Sequence, residues 1–154
     1  MKRFLTMLLF LALAGSLTAL NVGDLAPELS GPDKDGKTLK LSAFRGKVVL
    51  IEYWASWCAP CRQAMPGTLA KLQQYGPRGF IAFMAGVNRS AETDKRFLNH
   101  MKYDFPHAIF TGGNTGAYEV TGIPHAVLVG RDGKVLWIGH PASLTGGMVD
   151  KALR

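Results

Sequence analysis

The stretch that decides the fold runs from residue 51 to residue 62 and reads IEYWASWCAPCR. It completes an apolar run over residues 47–54, which is typical of a strand buried on both faces. It then places Cys58 and Cys61 at the start of a segment of helix formers, residues 58–75. Residues three apart at the start of a helix face the same side and come close enough for a disulfide. The stretch therefore predicts a strand, a turn and a helix, with a redox-active cysteine pair at the turn.

These two cysteines are the only ones in the chain, and their spacing favours thiol–disulfide chemistry. Cys58 falls where unpaired N–H groups and the helix dipole favour an anion. Such a position lowers a thiol pKa from about 8.5 into the range of about 3.5–7.5 and makes the thiol an attacking thiolate. Cys61, one turn later, is expected to be buried and to resolve the mixed disulfide. Pro60 suits the first turn, because its missing N–H would have no helical partner there.

Other uses of a cysteine pair agree less well with the sequence. A structural disulfide usually closes a longer loop, because a three-residue loop constrains the unfolded chain little. A zinc site needs four ligands, and there is no second cysteine pair. A c-type haem attachment needs histidine after the second cysteine, where Arg62 stands. We therefore expect no metal and no cofactor other than the Cys58–Cys61 disulfide itself.

The rest of the chain predicts an α/β order with a mixed sheet. A small hairpin region is expected at residues 22–42, with its turn at 33–36. Further strands are predicted at residues 80–87, 105–110, 125–129 and 135–138. Helices are predicted at residues 92–101, 114–120 and 144–153, the first with Phe97, Leu98 and Met101 on one face.

The N-terminus and the charge indicate where the protein works. Residues 1–19 are typical of a signal peptide, or of an uncleaved anchor: Lys2 and Arg3 precede an apolar run and small residues. The remaining domain, residues 22–154, would then lie in an oxidising compartment, the periplasm. The formal net charge is +7, but the basic residues are scattered along the chain, which argues against nucleic-acid binding.

Residues 51–62 closely resemble the active-site segment of thioredoxin-like proteins. Pro66 stands where thioredoxins kink this helix, and Gly122-Ile123-Pro124 looks like the cis-proline loop of the family. Residues 25–27, 36–47 and 127–134 are similar to the TlpA/ResA-like, redoxin branch. The resemblance spans residues 22–154 and implies a thioredoxin-like fold: a mixed central sheet flanked by helices, with an N-terminal β-hairpin extension.

The resemblance also implies roles for individual residues. Glu52 would be a buried acid that takes the proton from Cys61, although an acid at a strand end can also point to solvent. A cis Pro124 would place the backbone of Ile123 beside Cys58, ready to pair with an extended substrate. Trp57 and Pro60 join Ile123 as expected substrate-binding residues.

Two neighbouring positions refine this expectation. Trp54 is expected in the core. Ala64 stands where some ResA-like reductases carry a glutamate, so Glu52 is expected to be the only acid near the cysteines.

The function that the resemblance implies is a monomeric periplasmic reductase of disulfides in exported proteins, among them apocytochromes c. Its electrons would come from a membrane thiol reductant of the DsbD type. A disulfide donor or isomerase with the same residues stays open. So do a peroxidase, although Ala55 stands where peroxiredoxins carry Thr or Ser, and a copper or zinc carrier that uses Cys58, Cys61 and His125.

Overall fold

The computed structural model describes residues 19–154, so all but the last residue of the predicted signal peptide lies outside the described residues. The structure contains seven strands and three α-helices in the described range. The strands are β1 (Ser30–Pro32), β2 (Thr38–Lys40), β3 (Val48–Trp54), β4 (Phe80–Gly86), β5 (His107–Phe110), β6 (His125–Val129) and β7 (Val135–Gly139). The helices are α1 (Ala59–Tyr75), α2 (Ala91–Met101) and α3 (Gly146–Ala152). Within residues 19–154, no helix is both long enough and apolar enough to cross a membrane.

Strand β3 is the centre of a five-stranded mixed sheet with the order β5-β4-β3-β6-β7. Strands β3, β4 and β5 run parallel, whereas β6 pairs antiparallel with both β3 and β7. Every residue of β3 is buried, as the apolar run predicts for a strand covered on both faces. The expected α/β class with a mixed central sheet is confirmed.

The two faces of β3 contribute to two different cores. Val48, Leu50 and Trp54 belong to a core that also contains residues of all three helices, Cys61 and Met65 of α1 among them. The alternate residues of β3 lie in a second core with residues of the N-terminal region. Because side chains alternate along a strand, Glu52 lies on the same face as Leu50 and Trp54, beneath helix α1.

Strands β1 and β2 form the expected N-terminal hairpin, antiparallel and three residues long on each side. Its turn is closed by Asp33, whose Oδ1 accepts hydrogen bonds from the backbone N–H groups of Asp35 and Lys37. The hairpin occupies only the second half of the predicted region, residues 22–42.

Two local predictions are wrong. The helix expected at residues 114–120 is a single 3-10 turn, Gly116–Tyr118, because Gly116 itself has a positive φ of 59°. Met101 does not share the buried face of α2, since it ends the helix and is 42% exposed.

Candidate active site

Cys58 and Cys61 form a disulfide at the start of α1, with their Cα atoms 5.3 Å apart. Cys58 is the N-cap residue, and its Sγ lies 3.2 Å from the backbone nitrogen of Cys61, which donates a hydrogen bond to it. Pro60 lies in the first turn, as expected. After reduction, the same N–H group can stabilise a Cys58 thiolate, because a donor that faces a charged group favours the charged form. Cys61 is fully buried, as predicted.

The peptide bond between Ile123 and Pro124 is cis, and the loop that contains it lies beside the disulfide. The carbonyl oxygen of Ile123 lies 3.7 Å from Cys58 Sγ. The backbone of Ile123 therefore lies beside Cys58 Sγ, in the position that the resemblance implied.

The two tryptophans next to the cysteines differ in exposure. Trp54 is fully buried in the core, as expected, and its ring packs against Phe97 of α2 at 6.0 Å between centroids. Trp57 is 66% exposed and directly precedes Cys58. An exposed indole at this place offers an apolar surface beside the disulfide.

Glu52 is fully buried at the centre of the sheet, paired with Met84 on one side and Ala126 on the other. The alternative of a solvent-exposed carboxyl is therefore excluded. Thr68 of α1 donates a hydrogen bond of 2.6 Å to Oε2, and Oε1 has no hydrogen-bond partner among residues 19–154. Burial raises the pKa of Glu52 to about 7, while the Thr68 hydrogen bond and the positive charge of Lys71 lower it.

Cys61 and Thr68 are seven residues apart, or two turns, and so they face the same side of α1. That side is the one packed against β3, where Thr68 contacts Glu52. A carboxyl with a pKa near 7 and a free oxygen can accept a proton at neutral pH.

A second buried acid was missed by the sequence analysis. Asp94 of α2 is fully buried, and its Oδ1 accepts a hydrogen bond of 2.8 Å from the backbone N–H of Ser56, two residues before Cys58. The expectation that Glu52 is the only acid near the cysteines is therefore wrong. A signal was present: Asp94 precedes Leu98 by four residues and so lies on the buried face of α2.

His125 begins β6 directly after Pro124 and is half-buried, in agreement with a strand histidine. Its buried Nε2 has no hydrogen-bond partner in the described part of the chain, and burial lowers the pKa of His125. Across residues 19–154, no three His, Cys, Asp or Glu side chains cluster in a way that could hold a metal ion.

A family model described as Redoxin matches residues 21–153. The thiol-disulfide oxidoreductase ResA of Bacillus thuringiensis is 30% identical over 118 residues, which cover 76% of this chain and 68% of that protein. ResA of Bacillus subtilis is 26% identical over 136 residues, which cover 88% of this chain and 73% of the relative. The sequence is thus similar to ResA proteins over most of its length.

Solved structures agree with the sequence relatives. A crystal structure described as a thiol:disulfide interchange protein DsbE from Chlorobium tepidum superposes with a TM-score of 0.81 and 31% identity, covering 88% of this chain and all of the other. The thioredoxin domain of a Bacteroides vulgatus thiol-disulfide oxidoreductase gives a TM-score of 0.77 and 26% identity over the same shares. The thioredoxin-like fold that the resemblance implied is confirmed.

Proposed function

Because the chain belongs to the redoxin family and is a ResA-like thiol–disulfide oxidoreductase, we propose that it works as a reductase of disulfides in exported proteins. The observation that carries the proposal is the placement of the two sulfurs. Cys58 lies at the helix start with its sulfur next to the Cys61 N–H and is 5% exposed, while Cys61 is fully buried. One sulfur can therefore attack, and the other can resolve.

The first step joins the protein to its client, the exported protein whose disulfide is reduced. The thiolate of Cys58 attacks one sulfur of the client disulfide, forms a mixed disulfide and releases the other client sulfur as a thiolate, which takes a proton from water. The helix dipole and the N–H group of Cys61 favour the attacking thiolate.

The second step releases the client. Cys61 gives its proton to Glu52, and the resulting thiolate attacks Cys58 Sγ. The Cys58–Cys61 disulfide forms, and the second client sulfur leaves as a thiolate. The client gains two electrons and the cysteine pair loses two, so no other cofactor is needed. Glu52 suits this role because it is buried, has a free oxygen and has a pKa of about 7.

Docking of an extended client is assigned to the surface around Cys58. The backbone of Ile123 lies beside the sulfur, after which the chain turns at Pro124 into β6. Trp57, which directly precedes Cys58 in sequence, is exposed, and Pro60 lies in the first turn of α1. Apolar side chains around an available backbone suit an unfolded segment better than a folded surface.

The direction of electron flow is proposed from the residues between the cysteines. The residues between the two cysteines are Ala59 and Pro60, whereas strong oxidants of this fold carry a histidine there.

A basic leader followed by an apolar run supports export to the periplasm. There a membrane thiol reductant of the DsbD type would restore the dithiol, and disulfides in clients such as apocytochromes c would be its substrates.

Trapping the mixed disulfide tests the assignment of the two sulfurs. Reduced Cys61→Ser and Cys58→Ser proteins are each mixed with a peptide that carries one intramolecular disulfide, and the adducts are measured by mass spectrometry. We expect a stable adduct with Cys61→Ser and none with Cys58→Ser, because only Cys58 attacks. A faster adduct with Cys58→Ser would reverse the assignment.

A further inference from the structure

Ser56, in the turn that leads to Cys58, is held at each of its three polar groups by a different part of the chain. Its N–H donates to Asp94 Oδ1 in α2 at 2.8 Å. Its Oγ accepts from Asn88 Nδ2, in the loop after β4, at 3.0 Å. Its carbonyl oxygen accepts from Arg62 Nη1 in α1, also at 3.0 Å. The turn before the reactive cysteine is therefore fixed from three directions.

Asp94 is the fully buried member of this group, and the sheet makes room for it. Gly86 ends β4, and a Cβ at that position would lie 2.7 Å from Asp94 Oδ2. Asn88 also donates to Asp94 Oδ1, at 3.3 Å, so one oxygen serves both the turn and the loop. The other oxygen, Oδ2, is buried and has no hydrogen-bond partner among the residues that the structure describes. Burying a carboxyl that is only half satisfied is costly, and a surface acid in α2 would avoid that cost.

The position of Ser56 is transmitted to Cys58 through the turn. The N–H of Cys58 donates to the carbonyl of Ala55 at 3.0 Å, so residues 55–58 form one hydrogen-bonded turn. The end of that turn places Sγ 3.2 Å from the N–H of Cys61 and 3.7 Å from the carbonyl of Ile123. A shift of the turn would change both distances.

We propose that Asp94 is a positioning residue of the exchange reaction, which holds the turn through Ser56 and so keeps Cys58 Sγ aligned with the N–H of Cys61. Asn88 and Arg62 complete the same clamp, here called the Ser56 clamp. The proposal rests on Cys58 being the attacking sulfur and does not depend on the direction of electron flow. Through this alignment, Asp94 supports the Cys58 thiolate without contacting the substrate.

The test compares the alkylation rate of Cys58 in reduced wild type, Asp94→Ala, Asp94→Asn and Glu92→Gln, measured against pH by mass spectrometry of the Cys58 peptide. Asp94→Ala removes the acceptor of the Ser56 N–H, whereas Asp94→Asn keeps an acceptor oxygen and removes only the charge. Glu92 is the matched control, because it is an acid in the same helix turn but is exposed.

In Asp94→Ala we expect the alkylation rate of Cys58, measured at a pH below the pKa of this thiol, to fall about tenfold. That is the effect of a one-unit rise in the thiol pKa. We expect Asp94→Asn to recover most of the rate and Glu92→Gln to match wild type. An Asp94→Ala protein that is less stable but alkylates at the wild-type rate would show a structural role only. Faster alkylation of Cys58 in both Asp94 variants would show that Asp94 acts on the thiol through its negative charge. The structural outcome and the charge outcome would each overturn the proposal.

A second variant keeps the proposal testable if Asp94→Ala does not fold. Asn88→Ala removes the donor to Ser56 Oγ and one donor to Asp94, and leaves the carboxyl in place. A slower Cys58 rate in Asn88→Ala supports the clamp, and an unchanged rate contradicts it. The wild-type rate itself reports separately whether Cys58 is the reactive sulfur.

Discussion

The hydroxyl of Thr68 donates a 2.6 Å hydrogen bond to the carboxyl of Glu52, and both groups are buried between helix α1 and strand β3. The bond ties the acid to the helix that carries the two cysteines. It also opposes the effect of burial on Glu52, since a donor that faces a carboxylate favours the charged form. The balance leaves the pKa of Glu52 at about 7, where the group can accept and return a proton.

Replacing Glu52 with glutamine should slow the release of the client more than its capture. The resolving thiol then lacks its proton acceptor, and we expect the mixed disulfide to persist about a hundredfold longer, the lower end of what general-base catalysis contributes. Rapid quenching of the reaction with a peptide disulfide measures both steps. Glu92→Gln, an exposed acid lost from α2, should leave both steps unchanged. Equal kinetics for Glu52→Gln and wild type would remove Glu52 from the mechanism.

The stability of the oxidised protein should fall with rising pH because of Glu52. Its pKa is raised from 4.5 to about 7 in the folded state, so the folded state holds the proton more tightly than the unfolded state does. Below 4.5 both states are protonated and there is no penalty. As the pH rises to about 7, Glu52 ionises in the unfolded state but stays largely protonated in the folded state. The unfolded state is favoured as a result, and the free energy of unfolding falls by about 3 kcal/mol.

Urea unfolding of wild type and Glu52→Gln across this pH range isolates the effect, because the other titrating groups cancel in the difference. We expect the difference to change between pH 4.5 and about 7 and to be flat outside that window. A constant difference throughout would mean that Glu52 has an ordinary pKa.

Thr68→Val should raise the pKa of Glu52 above its present value of about 7. A hydrogen bond to a charged group is worth about 1.5 kcal/mol, or about one pH unit. The pH at which the resolving step reaches half its maximum rate should move upward by that amount. Thr93→Val, at an exposed position of α2, is the matched control. An unmoved midpoint in Thr68→Val would show that the hydrogen bond does not tune the acid.

Gly86→Ala should lower the free energy of unfolding by about 1–3 kcal/mol, the usual cost of an overpacked core. The new Cβ would lie 2.7 Å from Asp94 Oδ2 and 3.3 Å from Phe110. Gly67→Ala is the opposite control, because a Cβ on this exposed helical glycine would have only Lys71 Nζ within 4 Å among the described residues. We expect that change to stabilise the protein by roughly 0.5–1 kcal/mol. Chemical denaturation of both variants measures the two effects, and a Gly86→Ala protein as stable as wild type would contradict the close packing of Asp94.

Much of the site could be predicted because its signals are local in the sequence. The apolar run over residues 47–54 indicates a buried strand, and it is strand β3. Helix α1 ends at Tyr75, before the Gly76-Pro77 stop signal. The positions of Cys58 and Pro60 at the helix start follow from the cysteine spacing and from the missing N–H of proline.

The Ser56 clamp could not be predicted in the same way, because its parts are distant in sequence. Asp94 stands in a polar stretch at the start of a helix, where acids are usually exposed and favoured by the dipole. Its burial depends on Gly86, where a side chain would occupy its space, and on the hydrogen bond that the N–H of Ser56 donates to it. Neither contact leaves a local pattern, and the helical spacing to Leu98 is the one signal available.

The reduction potential of the Cys58–Cys61 pair tests the central claim most directly. The protein is equilibrated with dithiothreitol or glutathione redox buffers, and the fraction of dithiol is measured after acid quenching and alkylation. A reductase should have a potential near or below that of thioredoxin, about −270 mV. A potential near −120 mV, the value of a strong disulfide donor, would contradict the account and reverse the direction of electron flow.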